Sequence, residues 1–132
     1  MNVVIDVSGI AEILFKNEKN DKFNDILNEA DTVLAPDLYF SELANTFWKF
    51  NRKKVYATEQ CLHFIHAGIS YIDSFINSQS LWQDAFEEGV RNNHSIYDMF
   101  YLVAARRNAA TLITNDSDLA DICRKSGVKV CC

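Results

Sequence analysis

Proline occurs once in these 132 residues and glycine four times. The chain therefore has little material for flexible linkers or low-complexity tracts. Its four cysteines, Cys61, Cys123, Cys131 and Cys132, make no C-x-x-C pair. That spacing excludes the common zinc motifs and does not suggest a small secreted disulfide framework. Thiols in a reducing cytosol are the expectation. No apolar run approaches the ~20 residues that a membrane helix needs. Met1 leads straight into a strand-like run with no basic stretch before it, so no signal peptide is expected and a cytoplasmic location is. An excess of positive charge is also missing: 13 Lys and Arg stand against 18 Asp and Glu, for a net charge of −5. Proteins whose main task is to coat nucleic acid are usually basic overall. An enzyme that visits nucleic acid through a local basic patch remains compatible with that balance.

What the chain does have is apolar bulk. Apolar residues make up 48%, with nine Phe, five Tyr and two Trp. That is enough to fill one hydrophobic core, and a single domain over residues 1–132 is expected.

Val3-Val4-Ile5 is a short β-branched run, as in a buried parallel strand. Further strands are predicted at Thr32–Ala35, Ile69–Ile72, Thr111–Thr114 and Val128–Val130. Helices are predicted over Ser8–Phe15, Lys22–Ala30, Asp37–Arg52, Thr58–His66 (broken by Gly68), Leu81–Asn92, Ile96–Arg107 and Ser117–Lys125. In the third of these, Tyr39, Leu43, Phe47 and Phe50 share one stripe. Strands alternating with helices predict an α/β fold with a parallel sheet covered by helices on both faces. In such sheets sites form at the carboxyl ends of strands, where the strand order reverses.

Four acids could meet there. Asp6 ends the first strand, and Asp116 follows the Leu112–Thr114 strand after one residue. Glu42 lies in the second turn of the helix after the second strand, and Asp98 in the first turn of another helix. Converging carboxylates repel one another, and a hard divalent cation such as Mg²⁺ relieves that repulsion through oxygen ligands. Each acid also has a structural reading. Asp6 and Asp116 could be helix N-caps, Asp118 a first-turn acid favoured by the helix dipole, Glu42 a solvated helix residue, and Asp98 half of a capping box with Ser95. Asp98 is the most telling, because it is the only charge in the otherwise apolar segment Ile96–Ala105. That helix should be buried, so its carboxylate should be paired or metal-bound. Before Arg106 no basic partner is evident.

These residues resemble the PIN-domain family and, within it, the VapC-like toxin ribonucleases. The matching blocks are VVIDVS at 3–8, PDLYFSELANTF at 36–47, SIYDMFYLVAARRNAATLITNDSDL at 95–119 and SGVKV at 126–130. They stand in family order and span essentially the whole chain; the third is the most specific. The resemblance implies a three-layer α/β/α sandwich with a central parallel sheet and Mg²⁺- or Mn²⁺-dependent endonucleolytic cleavage of RNA. It assigns metal and catalytic roles to Asp6, Glu42, Asp98 and Asp116, with Asp118 as an accessory acid. Ser8 and Thr114 would orient carboxylates or waters, and Asn45 would be a polar neighbour. It also implies a small antitoxin protein as partner and pairing into a homodimer, for which helices around Phe40, Phe47 and Phe64 could supply an apolar patch.

The densest basic cluster is Lys49, Arg52, Lys53 and Lys54. It could hold RNA phosphates or be a solvated helix end. His63 and His66 share a helix face without acidic or cysteine ligands, His94 reads as a loop histidine that could approach the site, and Trp48 and Trp82 as core-packing or exposed groove-lining residues rather than base-stacking ones. A receiver or haloacid-type phosphatase also places Asp after the first strand, but the latter needs a second Asp where this chain has Ser8. A catalytically silent PIN-like module that binds RNA or protein would fit the same blocks, as would a stand-alone RNA-processing nuclease.

Overall fold

The computed structural model describes residues 1–132. Five parallel strands form one sheet in the order β3-β2-β1-β4-β5. They are β1 (Asn2–Ile5), β2 (Thr32–Pro36), β3 (Ser74–Ile76), β4 (Thr111–Ile113) and β5 (Val130–Cys131). Seven helices connect and cover them: α1 (Val7–Leu14), α2 (Asn20–Glu29), α3 (Leu38–Arg52), α4 (Thr58–Ser70), α5 (Trp82–Asn92), α6 (Ile96–Arg107) and α7 (Ser117–Lys125). The expected α/β/α architecture is thus the observed one.

β1 lies at the centre, with Val3 opposite Val33 of β2 on one side and Thr111 of β4 on the other. Val3, Val4 and Ile5 are fully buried, as a strand covered on both faces must be. Successive connections run from β1 outward to β2 and β3, then cross back to β4 on the opposite side. The order therefore reverses between β1 and β4, the point where sites form in open parallel sheets.

α6 crosses β1, β2 and β4, and α5 packs along it. Its residues Met99 to Ala105 are all buried, in keeping with a segment apolar on every side. Helices α1 to α4 pack on one another around the stripe Tyr39, Leu43 and Phe47, each with no exposed surface. Phe50, the fourth member of that stripe, is half-buried and joins Phe15, Phe47 and Tyr56 in an aromatic cluster.

Three local expectations fail. Gly68 does not end α4, and Ile69–Ile72 is not a strand: the helix runs on to Ser70, and β3 forms at Ser74–Ile76. Gly68 serves a close approach instead. A Cβ there would lie 2.8 Å from Leu43 Cδ2, and the Tyr39 hydroxyl donates to the Gly68 carbonyl at 2.7 Å. The strand then starts where Asp73 pairs with Val33, its carboxylate accepting from the Val33 N–H and its own N–H donating to the Val33 carbonyl, both at 2.8 Å. The last strand is also displaced, to Val130–Cys131, although Lys129 already accepts from Leu112 N–H at 2.9 Å. No helix is long and apolar enough to cross a membrane.

Candidate active site

Asp6 is the hub. The chain leaves β1 and turns at once into α1, so residue 6 is both the strand's end and the helix N-cap. Its Oδ1 accepts from Gly9 N–H at 2.8 Å and from Ser8 Oγ at 2.7 Å. Its Oδ2 accepts from the Thr114 hydroxyl, which projects from the end of β4. Asp6 is only 6% exposed. Burial pushes its carboxyl up to about 6, Asp98 adds to that, and the three hydrogen bonds oppose it. Asp6 therefore caps α1 and stands among the acids at once.

Glu42 approaches from α3 and is half-buried. Its Oε1 accepts from the Tyr101 hydroxyl at 2.7 Å. Burial raises the Glu42 carboxyl above its ordinary value, and Asp6 and Asp98 raise it further, against the Tyr101 bond. Asp6, Glu42 and Asp98 are thus brought together from β1, α3 and α6, close enough to oppose one another's ionisation.

Asp98 departs from expectation in its setting. It lies in the first turn of a buried helix, but its own side chain is 29% exposed. It also has a partner: His94 Nε2 stands 2.8 Å from Asp98 Oδ2. His94, which the sequence presents as a loop histidine, is a member of the site. Ser95 makes no side-chain cap for α6, so no capping box forms.

Asp116 caps α7: its Oδ1 accepts from Asp118 N–H at 2.9 Å and Leu119 N–H at 3.2 Å. It reaches the hub indirectly. Asp116 N–H donates to Thr114 Oγ1 at 3.1 Å, and that hydroxyl donates to Asp6. Ser8 joins the same chain, taking Asn115 N–H at 2.8 Å. Asp118 and Asn45 are exposed and engage none of these groups through their side chains, so neither is drawn into the cluster.

The basic group divides. Lys49 and Lys53 line a groove of about 230 Å³ with Thr46 and Phe50, on the side of α3 that carries Glu42. Arg52 turns away, its guanidinium 4.9 Å above the Trp48 ring. Lys54 sits in the turn after the helix, at φ 59°.

Tyr101 is the residue that sequence reading missed. A signal existed: a buried tyrosine hydroxyl needs an acceptor, and position 101 is one turn beyond Asp98 on the same helix.

The profile of the PIN domain matches residues 3–125. The chain belongs to the PIN-domain family. Among related PIN-domain proteins, Ribonuclease VapC3 of Pyrobaculum aerophilum is 24% identical over 123 residues, covering 92% of this chain and 94% of that protein. PAE2754 from the same organism superposes with a TM-score of 0.74 at 16% identity, over 92% of this chain and 79% of its own. VapBC2 from Rickettsia felis, solved bound to a DNA fragment from its promoter, gives a TM-score of 0.69 at 15% identity, over 98% and 97%.

The donor set of this PIN domain suits a hard cation. Its acids offer only carboxylate oxygen, and burial without a counter-charge raises the cost of ionising Asp6 and Glu42. In the conformation described, no three His, Cys, Asp or Glu side chains close into a ready-made metal-binding group.

Proposed function

We propose that this PIN-domain protein is a Mg²⁺- or Mn²⁺-dependent endoribonuclease whose site is Asp6, Glu42, Asp98 and Asp116, and that it is the toxin of a toxin–antitoxin pair. The observation that carries the reading is a buried carboxylate, Asp6, raised to about 6 at the point of strand-order reversal, beside two more carboxylates. A fold keeps such an unfavourable arrangement where chemistry uses it. RNA as substrate is supported by the relative named Ribonuclease VapC3. An antitoxin partner is supported by the likeness to VapBC2.

Asp6, Glu42, Asp98 and Asp116 would hold the cation, which when bound polarises a phosphoryl oxygen and lowers the pKa of water. The remaining work belongs to the chain. Ser8, Thr114 and the Gly9 N–H aim Asp6. Asp116 keeps one oxygen on the α7 cap, and its second accepts no protein hydrogen bond. Lys49 and Lys53 would take phosphates that flank the cut. Single-stranded or looped RNA would be the substrate, because its unpaired backbone is free to bend onto the acids as a stiff duplex is not. The protein would act in the cytoplasm, as one nuclease domain over residues 1–132 and as a homodimer. Of the residues expected to mark the pairing patch, Phe47 is fully buried, while Phe40 and, on the same helices, Trp48 and Leu62 are exposed. The exposed row Trp82, Phe86 and Val90 on α5 offers a further apolar surface for pairing.

Purified protein should cut an RNA pool with Mg²⁺ or Mn²⁺ and stop in EDTA. Asp98→Asn should abolish cleavage with the fold intact by circular dichroism. Cleavage by Asp98→Asn at the wild-type rate would overturn the site assignment. The protein encoded beside a toxin should bind this chain and block cleavage; a neighbouring product that does neither would remove the toxin reading alone.

A further inference from the structure

We infer that His94 and Tyr101 are the positioning residues of this site, each fixing one helix-borne acid that no backbone group fixes. The inference rests on the metal-site reading above.

The four acids fall into two kinds. Asp6 and Asp116 are held locally, because each caps the helix that follows it and accepts from that helix's N–H groups. Glu42 and Asp98 lie within helices whose N–H groups they do not cap. Left alone, a side chain with two or three free torsions samples several rotamers, and ordering it at binding costs free energy. Each has instead one side-chain donor. Tyr101 gives its hydroxyl to Glu42 Oε1 at 2.7 Å, and His94 meets Asp98 Oδ2 at 2.8 Å through Nε2. In both carboxylates the second oxygen has no protein donor, so it stays free to ligate.

Nothing else in the packing accounts for the two donors. Tyr101 is 1% exposed, and a phenylalanine ring would fill the same volume without a polar atom to satisfy. Its hydroxyl has Glu42 as its partner. His94 is carried to Asp98 by a reversal at Asn93, which caps α5 in the left-handed region at φ 48°, ψ 50°. Asparagine tolerates that conformation better than most residues. The reversal lets His94 N–H bond the Gly89 carbonyl at 3.1 Å and folds its ring back onto the first turn of α6. An imidazole with a proton on Nε2 donates to Asp98 whether neutral or charged.

Groups that hydrogen-bond metal-ligating side chains typically change metal affinity 10- to 100-fold when removed. Mn²⁺ binding, followed by the paramagnetic resonance of the free ion, should weaken about 10-fold in Tyr101→Phe and in His94→Ala. His94→Gln, which keeps an N–H donor, should recover part of that loss. In RNA cleavage kcat should fall in both variants while KM holds, and melting temperatures in EDTA should stay near wild type. Crystal structures of the variants grown in EDTA give a reading independent of metal and of activity. Glu42 should leave its wild-type rotamer in Tyr101→Phe, and Asp98 in His94→Ala. Mn²⁺ affinity within twofold of wild type, or unmoved rotamers, would overturn the inference. If wild type itself binds no Mn²⁺, the metal-site reading falls, and the rotamers alone decide whether the two residues position these acids.

Discussion

One carboxyl sets a pH signature. Asp6 has its folded-state value near 6, above the ordinary 3.8, mainly because burial opposes its charge. The fold therefore binds its proton more tightly than the unfolded chain does. Below about pH 4 both states are protonated and the group costs nothing. Between 4 and 6 the unfolded chain ionises first and stability drains away. Above 6 the full penalty stands, about 3 kcal/mol for a shift of this size. In EDTA, Asp6→Asn should therefore gain stability relative to wild type as pH rises from 4 to 7, by up to about 3 kcal/mol. Urea unfolding midpoints measure that gap, and a gap constant with pH would show that Asp6 ionises freely. Asp116, which from sequence could serve equally well, is the poorer probe. Its carboxylate is half-buried rather than buried, so the charge it carries is penalised less, and the amide keeps the α7 cap because Asn caps about as well as Asp.

At the scale of elements, the close seating of α1 on β4 brings Asp6 to Thr114. Gly9 makes it possible: a Cβ there would lie 2.9 Å from the Ile113 carbonyl oxygen, a backbone atom, and 3.0 Å from Ile5 Cγ1. Gly9→Ala should therefore destabilise by about 1–3 kcal/mol, despite alanine's better helix propensity, and should lower Mn²⁺ affinity because the Asp6 cap shifts. A melting temperature equal to wild type would show that α1 can slide. Along α3, Lys49 stands about 10 Å from Glu42 and Lys53 about 16 Å, at a rise of ~1.5 Å per residue. Reversing both charges should weaken RNA binding strongly at low salt and flatten its salt dependence, since each phosphate contact adds to that slope. Reversing Arg52, which sits on Trp48, should do less. Equal effects on filter-binding titrations would mean that the patch acts only as diffuse charge.

For the whole molecule, the cation is expected to act as a clamp on elements that otherwise repel. A hundredfold excess of Mg²⁺ over its Kd should stabilise the fold by about 2.7 kcal/mol, or roughly 5–15 °C in melting temperature for a chain of this length. Calorimetry with Mg²⁺ and with EDTA tests this, and coincident curves would argue against binding. The α5 row of Trp82, Phe86 and Val90, each more than half exposed, should be covered in the proposed homodimer. Light scattering should give twice the 15.1 kDa of one chain, and Phe86→Glu should halve it. A single-chain mass for wild type would remove the homodimer.

The alternation of strand and helix was legible because each rests on local period: β-branched runs for β1 and β4, the Tyr39–Leu43–Phe47 stripe for α3, and an all-apolar segment for the buried α6. That Asp6, Glu42 and Asp98 approach one another was legible because strand ends and helix turns fix where such side chains emerge. Where long-range packing competes with local preference, the sequence misled. Gly68 reads as a breaker, yet α4 continues through it because Leu43 of α3 needs the space. His94 is a loop residue, as expected, and Tyr101 stands in a segment that reads only as apolar. His94 meets Asp98 across four residues, a local contact, and only the tertiary fold sets Tyr101 against Glu42, 59 residues away in sequence. Residue types and their spacing determined which chemistry the chain could assemble. Which group would hold Glu42 depended on the distance between α3 and α6, and no local pattern encodes that.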